Sequence, residues 1–278
     1  MQLLKILSIL FFILSVTSCA TKKYKNVSYL ETENSNKIQP TLNIFTPRSA
    51  KKMNNQVLLF VHGGNWNSGD KKIYGFLGRN FAKKGITTVI VGYTLSPEAN
   101  YNDMAIEVAK AVEWTKDNIS KYKGNPNEIF LTGHSAGGHL VALVGTNPKY
   151  LKDNSIIKGI ILNDAAALDM KHYLEEFPPT QEDNYLTTWT ANPETWKDAS
   201  PIYFLDKNTP PFMIYTGGTK TYESIQVTNE RFLKELHKFQ PNVNPIVLNK
   251  KHIPMILQYF FPWSKRYDEV IDFMKKKD

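Results

Sequence analysis

The residues best suited to chemistry lie near the middle of the chain, in Gly133-His134-Ser135-Ala136-Gly137. A serine flanked by glycines in the pattern G-x-S-x-G, after an apolar run and before a helical one, is the signature of a nucleophile elbow. The sharp turn exposes the hydroxyl, and the glycines let neighbouring backbones approach. Ser135 placed this way would attack a carbonyl carbon. A second glycine turn, His62-Gly63-Gly64-Asn65-Trp66, follows the apolar run Val57-Val61. Its N–H groups, at Gly64 and Asn65, together with that of Ala136, could hold the oxyanion that forms during such an attack, each donor contributing about 3 kcal/mol.

Apolar runs of strand length alternate with helix-period segments, which predicts a mostly parallel central sheet with helices on both faces. The strands are expected at Thr41-Phe45, Val57-Val61, Thr87-Gly92, Glu128-Thr132, Lys158-Leu162, Pro211-Thr216 and Pro245-Leu248. Most are apolar without alternation, as buried parallel strands are. Helices are expected near Gly75-Lys84, Asn102-Lys121, Gly137-Gly145, Ser224-Phe239 and Tyr267-Lys276. The stretch of about 165–200 breaks the rhythm, with Pro178-Pro179, aromatics and acids, and reads as a lid inserted over a site.

Together the two glycine turns resemble the carboxylesterase and kynurenine formamidase-like branch of the α/β-hydrolases, which carries HGGxW early and GHSAGG at the elbow. The likeness extends to Gly92-Tyr93-Thr94-Leu95-Ser96-Pro97 and Ala199-Ser200-Pro201-Ile202. It implies the α/β-hydrolase fold, hydrolysis of a small ester or amide through a Ser135 acyl-enzyme, and no cofactor. Thr94 stands where related families often have arginine, so an ion pair they make is missing or replaced here.

In this fold the chain order runs serine, acid, histidine. His237 and His252 follow Ser135; His237 falls in a helical segment, whereas His252 follows the final strand in Asn249-Lys250-Lys251-His252, where the family's catalytic histidine lies. His252 is therefore expected to be the general base. His62, His134, His139 and His172 are read as structural or pocket-lining, and no pair of histidines has metal-ligand spacing with a nearby third ligand. The acid departs from the family pattern, because Gly217-Gly218-Thr219-Lys220-Thr221 carries no carboxylate. Glu223 is the first candidate. Asp164, at the end of the preceding strand with Asp169 close behind, is the alternative, and a dyad with no acid is the third possibility. The last would suit a catalytically impaired binding module.

The ends place these elements in a setting. Residues 1–18 combine Lys5, an apolar run from Ile6 to Val16 and small residues before Cys19, the layout of a secretory signal. Val16-Thr17-Ser18-Cys19 resembles a bacterial lipobox, which implies lipid attachment at Cys19 and an exported protein on a membrane anchor. Residues 19–37 are polar and suit a tether followed by a peripheral strand, and 38–278 form the hydrolase domain. A lone cysteine excludes an internal disulfide. The net charge of +8 is spread over scattered lysines without base-stacking context, which argues against nucleic acid.

Overall fold

The computed structural model describes residues 21–30, 39–48 and 55–276. Among the described residues an eight-stranded sheet runs in the order β1-β2-β4-β3-β5-β6-β7-β8. Its strands are β1 Thr21–Ser28, β2 Thr41–Pro47, β3 Val57–Val61, β4 Thr87–Val91, β5 Ile129–His134, β6 Ile157–Asn163, β7 Phe212–Thr216 and β8 Ile246–Val247. β1 and β2 pair antiparallel, β2 pairs antiparallel with β4, and all pairings from β4 through β8 are parallel. This is the α/β-hydrolase architecture expected from the sequence.

The central strands are continuously apolar because both sheet faces are covered. In β3 alternate residues enter opposite cores: Val57, Leu59 and Val61 pack in one, Leu58 and Phe60 in the other. Helices α2 (Tyr101–Asn118), α3 (Ala136–Thr146) and α7 (Glu223–Leu236) cover the first face. Helices α1 (Gly75–Lys83) and α9 (Arg266–Lys275) cover the second, with Leu77, Phe81, Val270 and Met274 packed against the sheet. α2 begins in a capping box, the Asn100 side chain accepting from the Asp103 N–H while Asp103 accepts from that of Asn100.

The structure differs from the sequence reading ahead of the expected domain start at residue 38. Residues from Thr21 form β1 directly, paired with β2 from Thr21↔Pro47 to Ser28↔Thr41 with a register shift between Tyr24 and Val27, so this part of the expected 19–37 tether belongs to the sheet. The exposed lysines of β1 blur where tether ends and peripheral strand begins, and they are how an edge strand avoids pairing with other chains. Residues 1–18 and Cys19 lie outside the described residues. The 165–200 insertion holds α4 (Met170–Glu176), α5 (Tyr185–Trp189) and α6 (Pro193–Asp198), helices too short to display a periodicity.

Candidate active site

The strand order reverses direction of growth at β3, which lies between β4 and β5, and a crevice forms beyond the carboxyl ends of strands at such a point. The two glycine turns leave β3 and β5 there, side by side. At the elbow Ser135 has φ 54° and ψ −124°, a conformation an L-residue holds only under constraint from its surroundings. Gly137 is required because a Cβ there would lie 2.1 Å from the Val61 carbonyl oxygen. Ser135 heads α3, and the Ala136 N–H belongs to the unpaired first turn of that helix.

The turn after β3 closes through the N–H groups of Asn67 and Ser68, which donate to Gly64 O at 3.1 and 2.8 Å. The N–H groups of Gly64 and Asn65 take no part in that closure. Gly64 sits at φ +131°, and Asn65 and Trp66 also have positive φ. Groups far away in sequence hold this strained turn. Tyr93 donates to His62 O at 3.0 Å, the Ser96 N–H donates to Trp66 O at 2.9 Å, and the Trp66 indole donates to His139 Nδ1 at 3.2 Å. Thus Tyr93, Ser96 and His139 brace the turn, a role not evident from their sequence positions. His139 also donates from Nε2 to Ala199 O at 2.7 Å, and burial lowers its pKa to about 4, so it serves as a neutral ring bonded at both nitrogens. The segment Tyr93-Thr94 has replaced the expected arginine contact with a hydrogen-bonded one, Thr94 N and Oγ1 donating to the two Glu107 carboxylate oxygens at 2.6 and 2.8 Å.

His252 begins α8 (His252–Leu257), and its ring Nδ1 lies 2.6 Å from Asp164 Oδ2. Asp164, not Glu223, is therefore the carboxylate the fold brings to the histidine. Asp164 follows β6 at φ 51° with no exposed surface, and it also accepts from the Gly217 N–H at 2.9 Å and from the Thr221 hydroxyl. Burial pushes this carboxyl up, but the bonds from His252, Thr221 and Gly217 outweigh it and hold its pKa below the usual value. Glu223 is exposed at the start of α7. The 3-10 turn Gly218–Lys220 folds the loop so that Thr221 reaches inward and Glu223 is carried past the site.

With Nδ1–H committed to Asp164, the other nitrogen of His252 is the one free to accept a proton. His134 stacks on His252 with ring centroids 4.6 Å apart and donates from Nε2 to the His252 carbonyl at 3.1 Å. Burial first, and then the charge of His252, lower the His134 pKa to about 3. His252 thus bonds through its ring to Asp164 and through its carbonyl to His134, and among the described residues the Ser135 hydroxyl bonds to neither. Serine–histidine bonds of this kind often close only when substrate binds.

Ser135, His252, Gly64 and Asn65 open on one cavity of about 1050 Å³. Ile73, Phe76, Ile256 and Leu257 line it with apolar surface, and the insertion contributes Met170 and Phe177 together with the polar Tyr173, Glu176, Glu182, Asp183 and Tyr185. Tyr185 also donates to Asn65 Oδ1 at 3.2 Å. Trp189 and Trp196 are buried as packing, Trp189 lying 4.7 Å from Trp66 and 5.6 Å from Tyr101 by ring centroid. Among the described residues no group of three His, Cys, Asp or Glu side chains could hold a metal ion.

The BD-FAE family model matches residues 42–234. The chain belongs to the BD-FAE family. Esterase LipC of Mycobacterium tuberculosis is 29% identical over 175 residues, 58% of this chain and 43% of that protein. Gut esterase 1 of Caenorhabditis elegans is 32% identical over 134 residues, 44% of this chain and 23% of that protein. This BD-FAE member therefore spans less than half the length of those curated relatives. Among solved structures, a truncated carbohydrate esterase from gut microbiota superposes with a TM-score of 0.76 at 22% identity, covering 94% of this chain and 99% of that one. Esterase B from Lactobacillus rhamnosis gives 0.72 at 18% identity, covering 92% and 85%. Both show the shared fold.

Proposed function

We propose that this BD-FAE member is a serine hydrolase that cleaves carboxylic esters through an acyl-enzyme on Ser135. The observation that carries the reading is the His252 Nδ1–Asp164 Oδ2 bond of 2.6 Å beside the Ser135 elbow, on a cavity rimmed by the Gly64–Asn65 turn. As Ser135 Oγ attacks the ester carbonyl, His252 Nε2 takes its proton, and the N–H groups of Gly64, Asn65 and Ala136 hold the oxyanion. His252 then protonates the departing alkoxide. A water molecule repeats the sequence on the acyl-serine and frees the acid. Asp164 stays ionised and keeps His252 in the required tautomer while stabilising its charged form. Names such as esterase LipC and gut esterase 1 among the relatives support this chemistry.

The binding-module alternative drew on the missing carboxylate after β7, and Asp164 removes that motive. The cavity suits an ester with one apolar side, facing Ile73, Phe76 and Leu257, and one polar side facing the acids of the insertion. Aryl or formyl amides fit the same machinery with a poorer leaving group. Treatment with a fluorophosphonate probe should label the native chain and not Ser135→Ala; an unlabelled native chain would sink the proposal. The leader further supports export and attachment to a bacterial membrane through a lipid on Cys19. The intact mass of the mature protein tests this directly, as does release of Cys19→Ala from the membrane fraction.

A further inference from the structure

Cys19 lies two residues before the start of β1 at Thr21, a link that reaches at most about 7 Å. Thr21 pairs with Pro47 at the far end of β2, and β2 is antiparallel to β4, with Phe45 opposite Thr88 near the start of that strand. Thr21 thus sits at the amino edge of the parallel strands. Ser135, His252 and the cavity mouth lie at the carboxyl edge, about 20 Å away across six residues of strand.

The surface around Thr21 is basic. Lys123 Nζ donates to the carbonyls of Pro47 and Arg48 at 3.3 Å each, which draws the loop after α2 onto the end of β2. Tyr122 meets Tyr24 edge-on at 4.8 Å, and Lys22 lies over the Tyr24 ring. Lys22, Arg48, Lys121 and Lys123 are all exposed, and among the described residues none forms an ion pair. Along the chain, the nearest acids on either side of this loop are Asp117 and Glu128. At the opposite edge exposed Ile253 and Leu257 line the cavity, and a run of exposed aromatics, Phe260, Phe261 and Trp263, leads away from its lining residue Phe76.

We propose that the basic face around Thr21 docks on an anionic lipid bilayer, so that the anchored protein stands with its cavity opening away from the membrane. The inference rests on the lipidation of Cys19 proposed above. Anchor and charge act at one edge: the link is too short to let the domain turn over, and each basic residue near an anionic surface strengthens contact by roughly fivefold. The enzyme then draws its ester from the surrounding medium and not from the bilayer that holds it.

The test uses the lipidated mature protein in vesicles of phosphatidylcholine and phosphatidylglycerol, with a fluorescent probe on Lys123→Cys or on Trp263→Cys. Turnover of a water-soluble ester verifies that each variant is folded. Lipid-borne nitroxide should quench the probe at position 123 and leave that at 263 bright. Quenching at 263, equal or greater, would overturn the proposal and assign docking to the apolar mouth. Replacing the anionic lipid, or introducing Arg48→Glu with Lys121→Glu, should weaken quenching at 123, and no change in either case refutes the electrostatic contact. Intact mass reads the anchor separately. If Cys19 carries no lipid, cosedimentation of the full chain with anionic vesicles still tests the face: Lys121→Gln and Lys123→Gln should each lower binding roughly fivefold, and unchanged binding overturns it.

Discussion

Replacing Asp164 with asparagine isolates what the carboxylate does for His252. The amide is nearly isosteric and its oxygen can still accept from the Gly217 N–H, now 2.9 Å from Oδ1. Its nitrogen then faces His252 Nδ1 across the present 2.6 Å contact and donates to it. That forces the proton onto Nε2, the atom that must accept from Ser135. The same exchange in a serine–histidine–aspartate triad lowers kcat by about 10⁴, equal to about 5.5 kcal/mol of barrier. The expected result is therefore a drop of about 10⁴ in kcat for p-nitrophenyl acetate with KM little changed, while Glu223→Ala stays within about twofold of the parent. Thermal unfolding should show Asp164→Asn still folded. Activity within tenfold of the parent would refute the assignment of Asp164, and a large loss in Glu223→Ala would restore the other carboxylate.

Other outcomes follow from neighbouring contacts. Thr221→Val removes a charge-assisted donor to Asp164, a bond worth about 1.5–3 kcal/mol, and should raise the acid limb of the pH–rate profile and lower kcat, with Thr221→Ser restoring both. Gly64→Ala would place a Cβ 2.1 Å from the Ser68 carbonyl oxygen at φ +131°, displacing the oxyanion turn; kcat should fall about 10²-fold while circular dichroism stays unchanged. Stability should fall with acid. His134 and His139 are held neutral in the fold at about 3 and about 4, against 6.5 when unfolded, so the unfolded chain binds more protons below 6.5. Between neutrality and pH ~5 each costs about 2 kcal/mol, about 4 kcal/mol together, and the lowered Asp164 adds to the loss at still lower pH. A denaturation midpoint independent of pH across that range would contradict this account.

The features legible in the chain are those that local rules govern. A glycine-flanked serine between a strand and a helix can form only a tight turn, and the apolar runs of β3 through β7 match strands buried on both faces because their length and composition permit little else. Ser135, the Gly64–Asn65 turn and the position of His252 after the last strand all belong to this class. The bounds of the peripheral strand β1 were blurred by its lysines, and the short helices of the insertion were hidden by their length.

The partner of His252 belongs to another class. Asp164 and His252 are 88 positions apart and meet only because β6 and β7 are neighbours and the loop after β7 folds inward at Gly218–Lys220. Sequence by itself determined that Ser135 sits on an elbow and that carboxylates stood near the right strand ends. Only tertiary structure decided between Asp164 and Glu223, because a carboxylate's reach is a matter of ångströms and that distance is set by loop conformation and strand order, not by spacing along the chain. The same holds for the buried rings of His134 and His139, whose neutral state and bracing contacts come from the burial and partners that folding supplies.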